Sequence, residues 1–238
     1  MNGASDSALH RLDRWFFTFM GALVILVVFA GFGRTFYRRP ASVGPLSTLL
    51  VLHGGAFTAW VLLFIVQSSL VAARRIKIHM KLGWVGAVLA SLMVVLGVSA
   101  AVAALRLGRT PIPGLDPRSF FVVPMFDIGN FCVLIAAGLL LRKKPDAHRR
   151  LMFLATVALI DAAVARIPLR FIAVGGPPVF FALTDLFILA GWAWDWSLRR
   201  RIHPAFAWGG GLLILSQPLR LAISGSAPWL GFANLFLP

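Results

Sequence analysis

Seven stretches of this chain are each long enough and apolar enough to cross a lipid bilayer. They cover residues 15–33, 46–72, 82–105, 119–141, 151–173, 178–198 and 205–224. A helix rises about 1.5 Å per residue and needs about 20 mostly apolar residues to cross the hydrocarbon core. Gly and Pro at 40–45, 108–117 and 175–178 mark turns between the stretches. The expected fold is therefore all-α: a polytopic integral membrane bundle of seven transmembrane helices. It forms a single transmembrane domain over 1–238, with a short cytoplasmic N-terminus at 1–14. The tail at 224–238, with Trp229, Phe232 and Phe236, reads as an interfacial segment. A composition 59% hydrophobic leaves no room for a separate soluble domain. The first stretch is not a signal peptide. Its apolar run from Trp15 to Phe32 is too long, and Arg34, Arg38 and Arg39 follow it where a cleavage site would stand.

Charge sets the orientation. The chain has 23 Lys and Arg against 8 acidic residues, a net charge of +15. Such a balance often signals nucleic-acid binding, but here the basic residues fall in short loops between spans. That pattern fits anionic lipid headgroups and excludes nucleic acid as a partner. With the N-terminus inside, 14 of the basic residues lie on the cytoplasmic side and 9 on the other, and every Lys is among the 14. The positive-inside rule then predicts N-in, C-out. The single Cys132 excludes an intrachain disulfide and any cysteine-based metal cluster.

Polar groups inside such stretches are costly, so their recurrence points to function. Three times a His or Asp in one span is followed by a basic run and then a His: His53, Arg74-Arg75, His79; Asp127, Arg142-Lys143-Lys144, His148; Asp185, Arg199-Arg200-Arg201, His203. This suggests three diverged helical hairpins after one extra span, and it sorts the polar residues into two layers. His53, Asp127 and Asp185 share an outer layer with Arg166, Arg170 and Arg220. Two readings of that layer stand. One is an ion-pair network that fixes helix packing. The other is an outward-opening pocket whose arginines bind an anionic or carbonyl-bearing ligand, with Asp127 and His53 exchanging protons. Pro168 and Pro218, each two residues before an Arg, favour kinks beside a cavity. Asp161 is either paired with Arg166 or part of a proton path. Asp195 and Arg199, four apart, read as a helix-surface pair.

The inner layer holds His79, His148 and His203, each opening a helix after basic residues. They are either interfacial histidines or ligands for haem iron or another metal. The lack of Glu argues against a catalytic zinc site of His and carboxylate. No phosphate-binding loop, His-Glu-x-x-His or Gly-x-Ser-x-Gly motif occurs, and no Lys lies where it would carry a retinal Schiff base.

The stretch from His53 to Gly83, with Gln67, Arg74 and His79 between, resembles the second and third spans of cytochrome b561-type proteins. That resemblance implies haem held by histidines on alternate core helices. His79 and His148 fall on the second and fourth core helices and would hold one inner haem b. His53 falls on the first, but the third offers Asp127 where a His is required, so an outer haem is not implied. Residues 50–172, with His148-Arg149-Arg150-Leu151-Met152 and the Arg166-to-Arg170 segment, also resemble a family of uncharacterised bacterial polytopic membrane proteins. This likeness implies a multi-pass protein of the bacterial inner (cytoplasmic) membrane and brings no activity with it. Three functional readings follow. The chain is a single-haem electron-transfer protein working with a quinone or another membrane subunit. It is a small-ligand binding or transport protein using the outer cluster. Or it is an accessory subunit of a larger membrane complex with no chemistry of its own.

Overall fold

The computed structural model of the chain describes residues 2–110 and 114–238, with side chains from residue 12 onward. All regular structure among these residues is helical. The elements are α1 (Asn2–Phe32), α2 (Thr48–Ala72), α3 (Ile76–Arg106), α4 (Pro117–Phe120), α5 (Val122–Leu140), α6 (Pro145–Val157), α7 (Asp161–Val164), α8 (Arg170–Arg199), α9 (Pro204–Ile223) and α10 (Ala227–Asn234). Among the described residues, six helical stretches are long and apolar enough to cross a membrane: Leu12–Tyr37, Thr48–Ala72, Ile76–Arg106, Pro117–Leu140, Arg170–Arg199 and Pro204–Ile223.

The expected continuous span over 151–173 is where sequence and structure part. Its first half, α6, starts at Pro145 and stops at Val157; the one-turn α7 follows, and α8 begins only at Arg170. The segment still runs the length of the bundle. At one end Arg149 donates to Asp13 near the start of α1. At the other, Gly31 near the end of α1 meets the backbone of Ala163 so closely that a Cβ would collide with its carbonyl. The break is tolerated because α6 is central rather than lipid-facing. Leu151, Phe153, Leu154, Ala155 and Val157 are all buried, among neighbours from α1, α2, α5, α8 and α9. Irregular backbone at membrane depth survives only where protein or a polar cavity covers it. α8 is itself divided: Gly176 adopts φ +59°, Pro177 and Pro178 follow, and the straight stretch runs on to Arg199. Pro lacks an amide hydrogen and clashes with the preceding turn, so the kink falls there.

The other helices show the pattern lipid demands. On α3, Ala90, Met93, Gly97, Ala101 and Leu105 are buried, while Val88 and Val95 on the opposite face are 70% and 63% exposed. Small residues line the packed face so that helices approach closely, and large aliphatic ones face outward. Three tight connections, at residues 73–75, 141–144 and 200–203, carry the basic runs. Asp13–Arg149, Asp13–Arg199 and the approach of His79 to His148 bring them to one end of the bundle with the start of α1. At the opposite end α10 folds over α4. Trp229 Nε1 donates to Arg118 O at 2.9 Å, and Arg106 Nε donates to Phe236 O at 2.6 Å.

Candidate functional site

The basic end holds a pair of histidines. His79 opens α3 and His148 opens α6, and their ring centres lie 6.2 Å apart with planes at 78°. His148 Nδ1 sits 2.8 Å from Gly138 O. A carbonyl only accepts, so Nδ1 carries the proton and the neutral ring keeps its Nε2 lone pair free. Gln67, one helix away, fixes the other ring. With its amide nitrogen toward the ring, it donates to His79 Nδ1 at 2.7 Å and to His79 O at 3.2 Å, while its oxygen accepts from Gly83 N at 3.0 Å. That orientation puts the His79 proton on Nε2. The reverse orientation lets Nδ1–H donate to the Gln67 oxygen and frees Nε2, at the expense of both backbone hydrogen bonds. His203, the third inner histidine, does not join the pair. Its Nδ1 accepts from Ala205 N at 3.1 Å and caps α9.

Beside the histidines lies an ion network that the sequence reading missed. Asp195 is not a surface group: it and Arg150 are both fully buried. Arg150 grips it through Nε at 2.8 Å and through a very short Nη2 contact. Arg199 Nη1 at 3.0 Å and the His203 amide at 3.1 Å also donate to Asp195. Asp13 accepts from Arg149, Arg199 and Trp194 at 3.1, 2.8 and 3.1 Å. Arg149 also pairs with Asp146 at 2.6 Å. Three aspartates thus meet three arginines. The sequence offered the four-residue spacing of Asp195 and Arg199, which do pair, and the closeness of each acid to basic residues.

The second cluster lies toward the opposite end. Arg220, buried one turn before the end of α9, donates from one Nη1 to Asp127 at 2.6 Å and to Asp161 at 3.2 Å. Its Nη2 donates to Ser216 Oγ at 3.1 Å, which also accepts from Asn130 Nδ2 at 3.0 Å. Phe181 and Phe126 cover the guanidinium at 5.1 and 5.8 Å. Asp185 accepts from Gln217 at 2.7 Å. Of the residues grouped in the outer layer by sequence, Asp127 and Arg220 are in direct contact and Asp185 adjoins them. Asp161 joins as well, paired with Arg220 rather than Arg166. Arg166 and Arg170 stay outside. Arg166 donates to Ala162 O at 2.7 Å and lies over Phe32, and Arg170 is exposed at the start of α8. His53 stacks on Phe57 with ring centres 4.2 Å apart. Of the three arginines grouped there by sequence, Arg220 is the one that reaches the carboxylates among the described residues, and two of them share it. An apolar groove of about 880 Å³ between α1 and α8, lined by Trp15, Phe19 and Leu186 among others, adjoins neither the histidine pair nor this cluster.

Among the described residues no group of three or more His, Cys, Asp or Glu is arranged to hold a metal ion. Compared with protein-family models, curated proteins and solved structures, the chain matches none.

Proposed function

We propose that this is a seven-crossing, N-in/C-out protein of the bacterial inner membrane that holds one haem b between His79 and His148 and passes electrons. The approach of the two rings carries the reading. Imidazole–metal bonds are about 2.0–2.1 Å, so an ion held in line between two Nε2 atoms separates the ring centres by about 6 Å. The observed separation is 6.2 Å, between helices whose histidines are 69 positions apart in sequence. The donor chemistry suits iron as well. A metal-binding His usually gives its other N–H to a carbonyl or similar acceptor, which is what His148 does with Gly138. Gln67 offers the matching acceptor to His79 once its amide turns.

Bound there, the haem would supply a one-electron couple. The chain's own residues do the rest. His148 keeps an Nε2 lone pair for the metal, His79 would offer its own once the Gln67 amide turns, and the buried Arg150–Asp195 pair near them holds the helix starts in register. The basic turns face the cytoplasm and its anionic headgroups, and a membrane quinone or a neighbouring subunit exchanges the electron. The broken α6–α7 segment makes the seventh crossing.

The test is the absorption spectrum of protein purified from cells with ample haem. A Soret band that sharpens on reduction is expected. His79→Ala and His148→Ala should each lose it, and His203→Ala should keep it. A wild-type protein with no Soret band rejects the reading.

A further inference from the structure

The two charged clusters are balanced differently. At the basic end Asp13, Asp146 and Asp195 meet Arg149, Arg150 and Arg199. At the other end Asp127 on α5, Asp161 on α7 and Asp185 on α8 have Arg220 on α9 as their one basic neighbour in contact or adjacent. Among the described residues no other basic side chain, Arg34, Arg38, Arg39, Arg109 and Arg170 included, forms an ion pair with these carboxylates. α1 presents no ionisable group between Trp15 and Gly33. His53 on α2 stacks on Phe57, Arg166 covers Phe32, Arg106 reaches the α10 tail, and Arg118 pairs with Asp116. Asp185 is half-buried and held by Gln217, so the carboxylates out of water are Asp127 and Asp161; with both ionised they carry one charge more than Arg220 neutralises. Two carboxylates sharing one site avoid that by retaining a proton.

Two orphaned atoms mark where the cluster can take up a proton. Asp161 is buried, and its Oδ1 has no hydrogen-bond partner. Thr184 on α8 lies beside it, 97% buried, with its Oγ1 equally unpartnered. One hydrogen bond between Asp161 Oδ1 and Thr184 Oγ1 satisfies both atoms in either charge state: the hydroxyl donates to the ionised carboxylate and accepts from the protonated one. Asp161 also stands at the break between α6 and α7, where the chain is irregular. Arg220 is one turn from the end of α9, so the route to the end of the bundle away from the basic turns is short.

We propose that Asp161, with Asp127, Arg220 and Thr184, forms a proton-exchange site that loads and releases a proton at that end of the bundle. This does not depend on haem at His79 and His148. Infrared spectra of the full-length protein in detergent, across mildly acidic to mildly alkaline pH, test it. A protonated-carboxyl C=O band is expected at neutral pH, shifting in D2O and titrating with the buffer. Asp161→Asn should remove it. So should Asp127→Asn, which leaves Arg220 to neutralise Asp161 alone. Thr184→Val, close in shape and not dependent on loss of a charge, should move the band to the frequency of an unbonded carboxyl. Absence of the band in wild type overturns the proposal, as does a band unchanged by Thr184→Val. A band bleached by sodium chloride but not by choline chloride would assign the site to an alkali cation and overturn the proton assignment.

Discussion

Arg220 illustrates what a single charged side chain does in an apolar bundle. One nitrogen serves two carboxylates from two other helices, and a second nitrogen serves Ser216. Removing one partner of a buried ionic group strands the others, at a cost of about 3–5 kcal/mol. Arg220→Met, similar in length and uncharged, should lower the thermal unfolding midpoint markedly in detergent. Adding Asp127→Asn to Arg220→Met should recover part of the loss. If Arg220→Met melts like the wild type, the triad does not hold the helices together. His203 gives a pH-dependent counterpart. Burial, with Arg150 nearby, holds its pKa below the usual 6.5, and its cap on α9 needs an unprotonated Nδ1. The unfolded chain therefore takes up the proton first as pH falls. The stability due to this residue is complete above about 6.5 and declines as pH drops from there toward the lower folded-state value. His203→Asn keeps a capping acceptor and has no proton to gain, so its melting midpoint should fall less in acid than that of the wild type. Equal acid sensitivity of the two proteins would remove this account.

At the scale of elements, the informative one is α6 with α7. Hydropathy reads residues 151–173 as one more span, because averaging over a window conceals where the segment breaks. The break depends on what surrounds it. α6 is enclosed by other helices and carries His148, Arg149 and Arg150 inward to protein partners. α7 comes close to α1 because residue 31 is Gly: its missing Cβ would occupy the place of the Ala163 carbonyl. Gly31→Leu should push α1 off α7 and destabilise the protein by about 1–3 kcal/mol, the usual range for overpacking. Gly33, where a Cβ meets open space, should accept Ala with little loss from packing. Comparable melting of the two variants would contradict the close approach. On α3, by contrast, the expected span over 82–105 lies within one continuous helix, Ile76–Arg106. Its small residues pack and its valines face outward, which is the arrangement a lipid-facing helix requires.

For the whole molecule, the three basic turns and the start of α1 lie at one end, while α10 folds over the other. The proposed orientation puts the basic end in the cytoplasm. A reporter enzyme active only outside the cytoplasm should then work when fused after Pro238 and fail when inserted in the 141–144 turn. The reverse pattern would invert the topology. Much of this level was legible beforehand. Apolar run length identifies helices that cross, and loop charge groups the turns, because both are additive properties of neighbouring residues.

Pairing is not additive in that way. The sequence determined by itself that the chain is helical, apolar outside and basic at its turns, because the energy of placing a residue in lipid depends chiefly on the residue and its depth. Only the tertiary structure decided that Asp161 meets Arg220, 59 residues on, rather than Arg166 five residues away. It also decided that Asp195 is enclosed by Arg150, 45 residues distant, as well as by Arg199 on its own helix. Those choices follow from which helix faces touch. They rest on the close approach at Gly31, the kink at Gly176 and the break after Val157, contacts between residues far apart in the chain that no local window contains.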